Sequence, residues 1–268
     1  MRNVVIGAAL ALVALQVVLV PTASAALQTQ EVAYEAGGVR FEGFLAWDDA
    51  VAGERPGVLV VHEWWGHNEY VRDRARMLAE LGYTALAVDM YGDGKVADHP
   101  QDAGAFSGAV MSSADHGRAR FLAAHELLSA HETVDGSDIA AIGYCFGGGV
   151  VLTMARDGLP LDGVASFHGS LGSPVTAEAG GIEAAILVLH GGADDFIPAD
   201  AVADFTREMM QAGADLRFVS YPGVKHSFTN PGAAEFAERF ELPVAYDAEA
   251  DADSWARLER FLAEVFAD

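Results

Sequence analysis

The sequence predicts an α/β fold, a mostly parallel sheet of about eight strands with helices on both faces and an N-terminal β-hairpin. Three observations predict it. Short continuous apolar runs suit strands buried on both faces. Segments with helical spacing alternate with those runs. One early stretch instead alternates apolar and polar residues around a glycine pair, as a hairpin does.

In chain order, "QEVAYEAGGVRFEGFLAWD" (30–48) is the hairpin, turning at Gly37-Gly38. "PGVLVVHE" (56–63) is a buried strand. "EYVRDRARMLAELG" (69–82) spaces Val71, Met77, Leu78 and Leu81 helically and closes on Gly82. "YTALAVDMY" (83–91) is strand-like, and one long helical stretch is expected over 104–131. "SDIAAIGY" (137–144) is a strand running into glycines, and "GGGVVLTMARDG" (147–158) is a helix. Strands follow at 161–169 and 184–191, a helix at 199–214 and a strand at 215–223. In the closing helix, "ADSWARLERFLAEVF" (252–266), Trp255, Leu258, Phe261, Leu262 and Val265 are expected to face the core. No repeat or linker divides the chain, so residues 26–268 are expected to form a single domain.

The first 25 residues differ in kind. A short basic start, an apolar run over 4–20 and the small residues Ala23 and Ala25 have the layout of a secretory signal peptide. Cleavage is expected after Ala25, giving an exported (periplasmic or secreted) protein with no stable membrane insertion. The competing reading is an uncleaved anchor, for which an apolar run of about 17 residues is near the lower limit. The formal charge of −23, with Lys95 and Lys225 the only lysines, argues against binding a phosphate backbone, so no nucleic-acid partner is expected. A monomer acting on a small molecule, without a cofactor, is the expectation.

Cys145 is the only cysteine, so it cannot pair within its own chain. It sits in Gly143-Tyr144-Cys145-Phe146-Gly147, which fits G-x-nucleophile-x-G with cysteine in the usual place of serine. A strand turning sharply into a helix puts the nucleophile at a strained apex, where side chains two residues to either side would collide. The positive end of the following helix faces the sulfur and favours thiolate, and the Phe146 N–H is a candidate oxyanion donor. The alternative is a buried structural cysteine. A dinucleotide loop lacks its G-x-G-x-x-G spacing.

Candidate partners lie at the carboxyl ends of later strands, where open α/β sheets collect function. Asp194, with Asp195 the competing choice, lies in "HGGADDFIP", and His226 lies in "YPGVKHSF". The order nucleophile, acid, histidine is that of α/β-hydrolases. Earlier, "VVHEWWGHN" ends a strand with Glu63, Trp64 and Trp65; the Trp64 N–H suits a second oxyanion donor, and the tryptophans are expected in the pocket wall. A zinc reading fails because His67 comes one residue too late for H-E-x-x-H, so no metal is expected. Tyr91 and His168, at other strand ends, and Asn230, four residues beyond His226, complete the expected substrate pocket.

With these pieces in place the chain resembles the dienelactone hydrolase family of α/β-hydrolases, through "HEWWGHN", "GYCFGGG", "GGADDFIP" and "KHSF" in that order. The resemblance implies a Cys145–His226–Asp194 triad and oxyanion donation from Phe146 and Trp64. It also implies that Glu63 holds and helps activate the thiol. It further implies ester or lactone hydrolysis through a thioester. Two arginines that clamp a substrate carboxylate in the family are missing: Gly92 and Asp93 follow Tyr91, and Asn230 stands four residues beyond His226, leaving Lys95 as a poorer cation. The alternatives are a non-catalytic small-molecule-binding protein or a thiol redox sensor on the same fold.

Overall fold

The computed structural model describes residues 27–267. The signal-peptide reading therefore falls outside the described residues. The strands are β1 (Leu27–Ala36), β2 (Val39–Asp48), β3 (Arg55–Val61), β4 (Thr84–Val88), β5 (Val134–Tyr144), β6 (Gly163–Phe167), β7 (Ala185–Gly191) and β8 (Leu216–Tyr221). They form one sheet in the order β1-β2-β4-β3-β5-β6-β7-β8. β1 and β2 pair antiparallel from Leu27↔Asp48 to Ala36↔Val39, and β2 pairs antiparallel with β4. Every other pairing is parallel. Gly37 and Gly38 turn the hairpin at φ 57° and 77°, the left-handed region that two-residue hairpin loops need.

The helices are α1 (Glu69–Glu80), α2 (Pro100–Met111), α3 (Ala114–Ser129), α4 (Phe146–Arg156), α5 (Ala199–Ala212), α6 (Ala233–Phe240) and α7 (Ala248–Val265). The two-residue period of the strands divides the core. Val58, Val60, Ala140 and Ile142 face α1 and α7, meeting Val71, Leu78, Leu258, Phe261 and Leu262. Leu59, Val61 and Ala141 face the other way, toward Phe121 of α3, Val151 of α4 and Phe205 of α5. Because both faces are covered, the central stretches 58–61 of β3 and 139–142 of β5 are apolar throughout.

Two expectations need correction. The single helix expected over 104–131 is two helices broken at Ser112-Ser113, where the Ser113 hydroxyl accepts from the His116 N–H at 3.3 Å and caps α3. The first of them begins earlier, at Pro100, whose fixed φ and missing N–H suit the first helical turn. The short helix α6 was not anticipated; its signal was Phe236 and Phe240, one turn apart, which stack on Trp65 at ring distances of 4.1 and 6.1 Å.

Candidate active site

Cys145 lies at the apex between β5 and α4 with φ 53° and ψ −114°, a conformation costly for a residue with a side chain. The flanking glycines explain how the turn closes. A Cβ on Gly143 would stand 2.2 Å from the Gly147 carbonyl oxygen, and one on Gly147 would stand 2.3 Å from the Val61 oxygen. Backbone fills the space on both sides. The Cys145 N–H donates to Phe167 O at 3.0 Å and the Gly147 N–H to His62 O at 3.1 Å, which ties the start of α4 to β6 and to the end of β3. The half-buried thiol is left facing an open cavity.

That cavity, of about 350 Å³, is also lined by His226, Trp64 and Phe146. His226 follows β8, and its Nδ1 lies 2.7 Å from Asp194 Oδ2 in the loop after β7. The other Asp194 oxygen accepts from the Phe196 N–H at 2.9 Å, so the carboxylate is oriented at both ends. Asp194 is buried and its competitor Asp195 is exposed. Burial alone would lower the pKa of His226. The charge of Cys145 and the hydrogen bonds to Asp194 and Cys145 outweigh it and raise the value to about 10. Sulfur, imidazole and carboxylate are thus brought together from three separate strand ends.

Phe146 is the first residue of α4, so its N–H has no acceptor within the helix. The Trp64 carbonyl accepts from Tyr91 Oη at 2.9 Å, which fixes the orientation of the turn after β3. His62 anchors that turn. Its Nε2 accepts from the Met90 N–H at 3.2 Å, so its Nδ1 carries the proton and donates to Glu63 O at 2.5 Å. Burial holds His62 neutral, with a pKa of about 4. Trp64 and Phe146 both line the same cavity as Cys145.

Glu63 is buried, and its two carboxylate oxygens accept from Ser227 Oγ at 3.1 Å and Asn230 Nδ2 at 2.6 Å. Burial raises its pKa, against the hydrogen bond from Asn230, the charge of His226 and the bond from Ser227. Its partners belong to the loop that carries His226, so this geometry makes Glu63 an anchor of that loop. Thr229, in the same loop, is held three ways. Its hydroxyl meets Tyr70 Oη at 2.6 Å and His168 Nε2 at 2.8 Å, and its carbonyl accepts from buried Arg74 at 2.6 Å.

Four residues expected to form the substrate pocket lie behind it. His168 has φ 39°, is fully buried and packs edge-on to His226 at 5.0 Å, so it supports the imidazole from the core side. Trp65 lies in a separate apolar cluster under α6. Tyr91 packs on His62 and Phe146 with its hydroxyl spent on Trp64. Asn230 spends its amide on Glu63 and on the Gly232 N–H. Lys95 pairs with Asp93 at 3.5 Å. The cavity wall that sequence reading missed comes from α2, with Gly104, Ser107, Gly108 and Met111, and from Phe196, Ile197 and Val244. No grouping of three or more His, Cys, Asp or Glu among the described residues could hold a metal ion.

Comparison with known proteins agrees with this architecture. Residues 41–266 match the dienelactone hydrolase family. The chain is 30% identical over 209 residues to protein usf of Aquifex pyrophilus, covering 75% of this chain and 87% of that protein. It is 27% identical to a Saccharolobus solfataricus protein named "Putative carboxymethylenebutenolidase", covering 88% and 98%. A crystal structure of a dienelactone hydrolase-like promiscuous phosphotriesterase from metagenomic libraries superimposes with a TM-score of 0.83 at 35% identity, covering 90% of this chain and 99% of that one. An elbow between β5 and α4, a histidine–aspartate pair beyond β7 and β8, and a family match over nearly the whole described chain lead to one assignment: the protein is a member of the dienelactone hydrolase family of α/β-hydrolases.

Proposed function

We propose that the protein hydrolyses an ester or lactone of a small carboxylic acid through Cys145, His226 and Asp194, with a thioester intermediate. The observation that carries this reading is the half-buried sulfur at a strained apex, in one cavity with an imidazole that Asp194 holds at 2.7 Å. The thiolate attacks the acyl carbon, a C–S bond forms, and the carbonyl electron pair moves onto oxygen. The Phe146 and Trp64 N–H groups stabilise that oxyanion, each contributing about 3 kcal/mol in comparable sites. As the intermediate collapses, the alkoxide leaves and takes a proton from the His226 imidazolium. His226 then removes a proton from water as that water attacks the thioester, and the acid departs with thiolate restored.

A thiolate leaves as readily as it attacks, so amides, with their poor leaving groups, are disfavoured against esters. The test is a screen of small esters, lactones and thioesters against wild type, Cys145→Ala and Cys145→Ser. A neutral phosphotriester belongs in the screen because the similar metagenomic enzyme is described as acting on that class. Turnover by wild type and loss of at least about a thousandfold in Cys145→Ala is expected, since the alanine retains only binding and oxyanion donation. Undiminished turnover by Cys145→Ala removes the proposal. We further propose export with cleavage after Ala25. The amino terminus of protein recovered from outside the cytoplasm should then be Ala26, and an intact Met1 on that protein contradicts it.

A further inference from the structure

We propose that the substrate is uncharged, and that its bulky apolar part lies along α2 in space left open by Gly104 and Gly108. The inference rests on the hydrolase reading above and names the substrate class. Among the described residues lining the cavity, only Cys145 and His226 are ionisable, and the rest of the wall is largely Trp64, Met111, Phe146, Phe196, Ile197 and Val244. A carboxylate entering it would lose its hydration without gaining a cation. Asn230, where a clamping arginine would be expected, already has both ends of its amide engaged by Glu63 and Gly232. The whole molecule adds to this, because 39 acidic residues against 16 basic ones repel an anionic ligand before it arrives.

The α2 wall shows where the apolar group goes. Gly104, Ser107, Gly108 and Met111 recur at i, i+3, i+4 and i+7, so they form one face of the helix, and that face borders the cavity. Facing stripes normally carry apolar side chains. Here two of the four positions carry none. Packing does not require it, because a Cβ at either glycine would meet nothing within 4 Å. Backbone conformation does not require it either, since neither glycine has a positive φ. Glycine inside a helix is otherwise unfavourable relative to alanine. What the two positions supply is room in the cavity that Cys145 also lines, whose volume of about 350 Å³ falls in the lower range for small-molecule sites.

The experiment measures kcat/KM for nitrophenyl esters of straight-chain acids from acetate to octanoate. A hemiester of matched length with a free carboxylate serves as the charged counterpart. In the wild type kcat/KM should rise on the order of tenfold from acetate to hexanoate. The charged hemiester should be lower than its neutral match by about tenfold or more. Gly108→Val and Gly104→Val should cut hexanoate turnover about tenfold and change acetate by less than about twofold, because each added branch occupies apolar space and not the reacting centre. Valine has better helix propensity than glycine, so circular dichroism and Tm should report an intact fold. Equal losses on acetate and hexanoate, no loss on either, or a preference for the charged hemiester overturns the inference.

A binding measurement separates this outcome from failure of the hydrolase reading. Isothermal titration of hexyl methyl ketone and of octanoate into Cys145→Ala needs no turnover. Tighter binding of the ketone, weakened by Gly108→Val, supports the inference even if no ester is cleaved. Octanoate binding as tightly as the ketone contradicts it.

Discussion

Cys145 and His226 show how much of the site depends on single residues. The apex backbone stores about 1–3 kcal/mol of strain, which the surrounding glycines and the bonds to Phe167 and His62 hold in place. The raised pKa of His226, about 10 against an ordinary 6.5, owes much to the sulfur beside it. Replacing Cys145 by alanine should therefore lower the imidazole pKa, followed by nitrogen-15 NMR of the ring; an unchanged pKa contradicts the coupling. A folded-state pKa above the unfolded value stabilises fully below about pH 6.5 and is lost as pH rises through about 10. Wild type should therefore lose more Tm than Cys145→Ala between pH 7 and 10. At this scale the sequence was legible for identity and less so for orientation. Placement at a strand end was enough to single out His226 and to narrow the acid to Asp194 or Asp195, but not to tell that a left-handed φ turns His168 into the core. Trp64 and Trp65, adjacent in the chain, likewise face a cavity and a core cluster respectively.

Among the elements, the junction of β3, β5 and α4 sets the geometry around Cys145. Gly147 allows it, because a Cβ there would meet the Val61 and His62 carbonyl oxygens at 2.3 and 2.7 Å. Those atoms are backbone and cannot rotate away. Gly147→Ala should destabilise the protein by about 1–3 kcal/mol and displace the turn carrying the Trp64 N–H. Ester turnover should fall by about a hundredfold, measured with denaturant unfolding beside kinetics; an alanine variant of ordinary stability and rate would contradict the packing argument. Arg74 acts over a longer range, joining α1 to Thr229 of the histidine loop and to Asp251 of α7. Arg74→Ala should cost about 3 kcal/mol by leaving the buried Thr229 carbonyl and the part-buried Asp251 carboxylate unpaired, read from the urea midpoint at constant m-value. The strands and most helices were legible because their apolar periods are strong. The break at Ser112-Ser113 was not, since serine hides in a helical pattern until its hydroxyl is seen capping the next helix. The Glu63 anchor could not be read either, because Ser227 and Asn230 are distant in sequence and meet it only through the fold.

For the molecule as a whole, parallel pairing aligns the carboxyl ends of β3, β5, β7 and β8 along one rim, which is why residues as far apart as Glu63, Cys145, Asp194 and His226 share a neighbourhood. The alternation of strands and helices made that rim legible. The cavity wall was not, because α2 reaches the rim only through a long loop and presents glycines, which carry no pattern of their own. A charge of −23 places the folded state under self-repulsion, so raising salt from low to moderate ionic strength should raise Tm by a few degrees, with a fall contradicting the electrostatic reading. The central claim, that the Cys145 sulfur becomes covalently acylated, is tested most directly by quenching the protein in acid during turnover of an activated ester and mapping the added mass by peptide mass spectrometry. The account predicts one acyl group, on the peptide containing Cys145 and removable by hydroxylamine at neutral pH. An acyl group on any other residue during productive turnover would contradict it.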